Sequence, residues 1–234
     1  MHSYSSGNGL WLTLSSSATF NLSLIDSSQS NGVIDTASKL KAFGSNKTWR
    51  YSIEQSKPLI LISVPNTRLN THIYPKVFID IEVDEALIDQ KGFPLKTLKL
   101  TLEIIDESNR HLVHRSHIDL ATCNDQGRYQ EGPIFHLQFG GKSSEKTSET
   151  GFLKLREPRW LHPPMDIILI SEMLIANFYP EKWNELKKQD AWIALVTDSQ
   201  KLCYKPFFDI ANENFLKNSL LKSFWASNWD TDQK

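Results

Sequence analysis

His136 and Gln138 are the two residues of this chain whose types and spacing most readily suggest chemistry. They alternate with Phe135, Leu137 and Phe139, so on a strand the two polar side chains emerge from one face. A histidine in that position exchanges protons near neutral pH, and an amide beside it can hold a carbonyl, a phosphate or a base edge. The plain alternative is a pair of ordinary polar residues on a solvated sheet face.

His111, His114 and His117 recur at intervals of three. In a strand that interval sets His114 on the face opposite His111 and His117, so no metal site is expected from this segment alone. A mixed set, His114 or His117 with His136 and Asp80 or Glu82, would require a particular strand register. Asp80, Glu82 and Glu103 with Lys99 suggest a carboxylate and lysine cluster of the kind that binds magnesium, against cross-strand salt pairing on a wet face. Arg156, Arg159, Trp160 and His162 stand before an apolar segment, where cations at a helix start suit an anion or a nucleic-acid phosphate. The alternative is that Trp160 anchors a loop while the arginines neutralise Glu157 and Asp166. Seven tryptophans exceed what a core of this size needs, and Trp225 and Trp229 near the end of the chain are candidate interface anchors.

The elements that must position these residues follow from periodicity. Residues 165–178 are apolar nearly all round, with Pro163 and Pro164 suited to a helix entry, Asp166 to its first turn and Pro180 to its stop. About 14 residues at about 1.5 Å each fall short of a bilayer of about 30 Å, so this is a core helix. Residues 77–83, 97–105, 111–120 and 134–140 alternate apolar and polar side chains, which predicts an antiparallel meander with one greasy face for that helix to cover. Upstream, residues 10–14 and 20–24 read as short strands with a turn at Asn31-Gly32, and residues 33–43 as a short helix. Residues 49–53 and 59–64 read as strands broken by Pro58 and Pro65. Downstream, residues 181–189 read as a polar helix and 192–197 as a buried strand. Pro206 reads as the start of a new segment, and 210–225 as an amphipathic last helix.

With 40% apolar residues among 234, the chain can bury a substantial core. A formal net charge of −1 argues against a dedicated electrostatic binder of nucleic acid or membrane. Cys123 and Cys203 are far apart, which excludes a disulfide scaffold and a cysteine zinc site. The Gly140-Gly-Lys-Ser143 run lacks the earlier glycine of a phosphate-binding loop, and residues 140–151 read as a mobile loop. No cofactor is expected. The first residues lack a basic stretch followed by an apolar one, so a cytoplasmic setting is expected.

Phe135-His-Leu-Gln-Phe-Gly140, then Arg156-Glu-Pro-Arg159 and a helix ending Asn177-Phe-Tyr-Pro-Glu-Lys-Trp183, resembles an uncharacterised bacterial family over about residues 75–185. That family has a His-Leu-His-x-Gly strand followed by an Arg-Pro segment and a buried helix, and is remotely similar to the toxins of toxin–antitoxin pairs. Gln138 stands where the family has its second histidine, which removes a histidine pair. The resemblance implies a bacterial cytoplasmic protein of a defence or toxin–antitoxin operon.

The expectation is one α+β domain over 1–234: N-terminal strands and a short helix in 1–65, the meander in 75–140, and a mainly helical part in 156–229. Its antiparallel sheet is covered on one face by the 165–178 and 210–225 helices. The expected function is a non-catalytic protein-interaction subunit of a bacterial multi-protein system, with no membrane partner. A competing expectation is a nuclease-like toxin acting on RNA or DNA through His136, aided by Gln138 and Arg159. A third is a ligand sensor whose 140–151 loop closes over the polar face.

Overall fold

The computed structural model describes residues 24, 48–88, 92–140 and 158–230. The expected strand at 10–14, all of the 20–24 strand but Leu24, the 33–43 helix, most of the 140–151 loop and Arg156 lie outside the described residues.

An eight-stranded antiparallel sheet forms the centre. Its spine is β4 (Thr71–Asp84), a 14-residue strand. Along one side of β4 lie β1 (Thr48–Ile53), β2 (Leu59–Ile60) and β3 (Val64–Asn66) in succession. Pro65 sits within the short edge strand β3, where the lost donor is tolerated. On the other side the meander runs through β5 (Leu95–Asp106), β6 (Leu112–Leu120) and β7 (Phe135–Phe139), and β8 (Trp160–Leu161) adds a final short edge.

The period-two pattern decides the faces. Val77, Ile79, Ile81 and Val83 of β4 and Leu98, Leu100, Leu102 and Ile104 of β5 are all buried on one face. Each such side chain contributes about 1.5–3 kcal/mol of burial. This face is covered by α1 (Ile167–Phe178), whose residues Ile170, Leu174 and Ile175 are at most 1% exposed. Asp166 caps α1 by accepting from the backbone N–H groups of Ile168 and Leu169, at 3.1 and 3.0 Å. The Tyr51 hydroxyl accepts a third N–H, that of Ile167, at 3.3 Å, and so ties the helix start to β1.

After α2 (Pro180–Leu186) the structure departs from the sequence expectation. Residues 192–197 are not a strand but the start of α3 (Asp190–Asn214), which runs through Pro206. Trp192, Leu195, Val196, Ser199, Leu202, Cys203 and Phe207 are buried at helical spacing, while Ile193 is 48% exposed. The Trp-Ile-Ala-Leu-Val-Thr run has strand-like composition, but burial at helical spacing from Trp192 to Phe207, over about four turns, outweighs it. A single 210–225 helix is likewise absent. Phe215 closes α3, Leu216 takes φ +67, and Ser219 caps the short α4 (Leu220–Ser223). The layer over α1 is therefore α3. Phe207 of α3 stacks on Phe224 at 4.4 Å, and residues beyond Phe224 return to the sheet: Ile134 N–H donates to Phe224 O and Ala226 N–H to Gly132 O. Among the described residues, no helix is long and apolar enough to cross a membrane.

Candidate functional site

The sheet register distributes the candidate residues between two faces. His136 pairs with Asp119 and Leu161, and Gln138 with His117, so all of these belong to the face away from α1. Trp160 pairs with Leu137 and belongs to the face that α1 covers.

On the polar face His136 is only 3% exposed, and its Nδ1–H donates to Pro133 O at 3.2 Å. Burial, and then the nearby Arg159 guanidinium, holds its imidazole below the ordinary value. Arg159 is itself held, with Nη1 donating to Glu131 O at 2.9 Å. Its side chain lies over Gly132, where a Cβ would meet Arg159 Cδ at 3.4 Å in a backbone of φ +133. His117 is more open: its Nδ1 lies 2.5 Å from Asp119 Oδ2, and the two side chains are 21% and 23% exposed. His111 precedes β6 and is exposed, so the three spaced histidines do not converge.

The carboxylates of this face form cross-strand pairs. Arg50 binds Asp80 through Nε and Nη2 at 2.8 and 2.7 Å. Glu103, fully buried, has Arg115 Nη1 at 3.2 Å and Lys76 Nζ at 3.7 Å. Among the described residues no group of three or more histidine, cysteine or acidic side chains is placed to hold a metal.

The other face carries an open apolar groove of about 570 Å³ between the sheet and α1. Leu100, Leu102, Ile104, Ile118 and Leu137 form its floor, and Ile170, Met173 and Phe178 of α1, with Met165 just before it, the wall. Among the described residues, no carboxylate, ammonium or guanidinium lines it. His114, His117 and His162 do, and burial lowers the imidazoles of His114 and His162, which favours their neutral forms. His162 Nδ1–H donates to Pro163 O at 2.6 Å. Three large side chains stand exposed on this face along β6, β7 and β8: Val113 at 42%, Phe139 at 48% and Trp160 at 57%. The His114 ring meets Phe139 edge-on at 5.8 Å.

Of the residues singled out from the sequence, His114, His117 and His162 line this groove and Trp160 stands on the same face as α1, whereas His136, Gln138 and Arg159 lie around the opposite one. Trp225 bridges to Pro133, and Trp229 packs at 5.3 Å on Phe93, inside an aromatic cluster with Phe135. Val113, Phe139, Met165 and Met173 went unremarked as a group in the sequence, where they read as strand and helix apolar positions. No family model matches the chain, and no curated protein or solved structure matches it.

Proposed function

We propose that this chain is a protein-interaction subunit that receives an apolar segment of a partner protein in the groove between the sheet and α1. One observation carries the reading: a groove of about 570 Å³, with no charged side chain among its described lining residues, opens on a face where Val113, Phe139 and Trp160 are each more than 40% exposed. Apolar surface of this kind on neighbouring strands marks a contact site, and interface centres are depleted in charge and enriched in aromatic residues and methionine. Met165 and Met173 give one wall side chains that repack around differing apolar shapes. The groove itself asks for no reaction. The family resemblance supports a setting in a bacterial defence or toxin–antitoxin-like system, where a subunit of this kind would join its partner in the cytoplasm.

The reading is tested by purifying the tagged chain and a Phe139→Asp variant from the cells in which each is expressed. The wild type is expected to carry a stoichiometric partner that the variant, with its fold intact, loses. A wild-type chain that stays a partner-free monomer at every concentration would contradict the reading.

A further inference from the structure

The face away from α1 holds a second arrangement, built on His117, a residue that also lines the groove, and its chemistry does not depend on the interaction reading. His117 and Asp119 are two apart on β6 and point the same way, with Nδ1 and Oδ2 at 2.5 Å. With the Nδ1–H given to the carboxylate, the imidazole keeps Nε2 as its basic nitrogen. The register surrounds the pair with polar groups. Thr101 and Gln138 flank His117, while Lys99 and His136 flank Asp119. Arg115 shares the strand and face two residues before His117 and is paired with Glu103 of β5.

Thr101 and Lys99 also line a cleft of about 360 Å³ that continues across the face toward Arg50 and Arg115. Among the described residues lining it, two of the three cations are matched by carboxylates, Arg50 by Asp80 and Arg115 by Glu103, and Glu54 lines the cleft as well. Lys99 is exposed and makes no ion pair among the described residues. A positively charged side chain thus stands at the junction of a cleft and a carboxylate-oriented histidine.

We propose that His117 and Asp119 form a general acid–base site for a phosphodiester whose charge Lys99 neutralises. His117 Nε2 removes a proton from water as the water oxygen bonds to phosphorus. The bond from phosphorus to the leaving alcohol oxygen breaks, and that oxygen takes the proton back from the imidazolium. The net change is phosphodiester and water to phosphomonoester and alcohol. Asp119 positions the ring and stabilises its protonated form. Of the two histidines on β6 and β7 that face this side, His117 is 21% exposed and His136 3%.

The test follows p-nitrophenolate release from bis(p-nitrophenyl) phosphate by the purified full chain, with p-nitrophenyl acetate as a second probe and thermal unfolding as the check of fold. Wild type is expected to cleave the diester, and His117→Gln to lose about 100-fold or more. Asp119→Asn is expected to lose less, in kcat and not in KM, because the carboxylate no longer holds the ring with Nε2 toward the diester. Lys99→Ala should act mainly on KM. Folded wild type without diester cleavage, or a His117→Gln rate equal to wild type, would overturn the proposal. Cleavage of the acetate alone would overturn the phosphodiester assignment.

Discussion

Ser199 Oγ donates to Asp166 Oδ2 at 2.7 Å across 33 positions of the chain. The carboxylate that caps α1 through its other oxygen is thereby joined to the middle of α3, and both residues are buried. Burial raises the Asp166 pKa against the hydrogen bonds that hold its charged form, so the group is a costly one kept for what it connects. Asp166→Ala removes a cap and strands Ser199, and should destabilise the fold by about 2–4 kcal/mol. Asp166→Asn, which keeps one acceptor oxygen, should lose less. Urea unfolding of the three proteins checks the order, and equal stability of wild type and Asp166→Ala would refute this role.

Acidification acts through the buried histidines. Burial lowers the folded pKa of His136 and His162 below 6.5, so the unfolded chain takes up protons first as the pH falls. Their contribution to stability is full above the unfolded value and is lost as the pH drops through the folded values. The melting temperature should therefore fall between about pH 7.5 and about pH 5, and His136→Gln and His162→Gln should each flatten that slope. Asp166, with a raised pKa, works in the opposite sense, which makes the difference between variant and wild type the informative quantity. Unchanged slopes in both variants would contradict the assignment.

Pro206 offers a test of the backbone of α3. A proline inside a helix removes one hydrogen bond and crowds the preceding turn, at a cost of about 3 kcal/mol. The burial of Cys203 and Phe207 on either side keeps the helix continuous. Pro206→Ala should raise stability by about 1–3 kcal/mol and leave the helical circular dichroism signal unchanged or larger. A loss of stability would mean that the proline ring packs in a way that alanine cannot replace.

Much of the architecture was legible where one period dominates. The alternation in β4 to β7 and the all-round apolar character of α1 each point to a single solution, and the antiparallel sheet covered on one face follows from them. Residues 192–197 misled because their β-branched and aromatic composition matches a strand over six residues, whereas the helical burial pattern emerges only when the run is read on to Phe207, past a proline. The groove is a property of register and of how α1 stands off the sheet, and neither is written in any one segment. The His117 and Asp119 pair left a local trace, since a His-x-Asp spacing on a strand puts both side chains on one face. Its neighbours Lys99 and Gln138 become visible only once the strands are aligned.

We propose that the groove, not the polar face, receives the partner. A photo-cross-linking residue placed at Val113, on the groove, and separately at Arg50, on the opposite face, tests it directly in the complex with the co-purified partner. Cross-links from position 113 into an apolar stretch of the partner, with none from position 50, are the predicted result. Cross-links from position 50 with none from position 113 would contradict it.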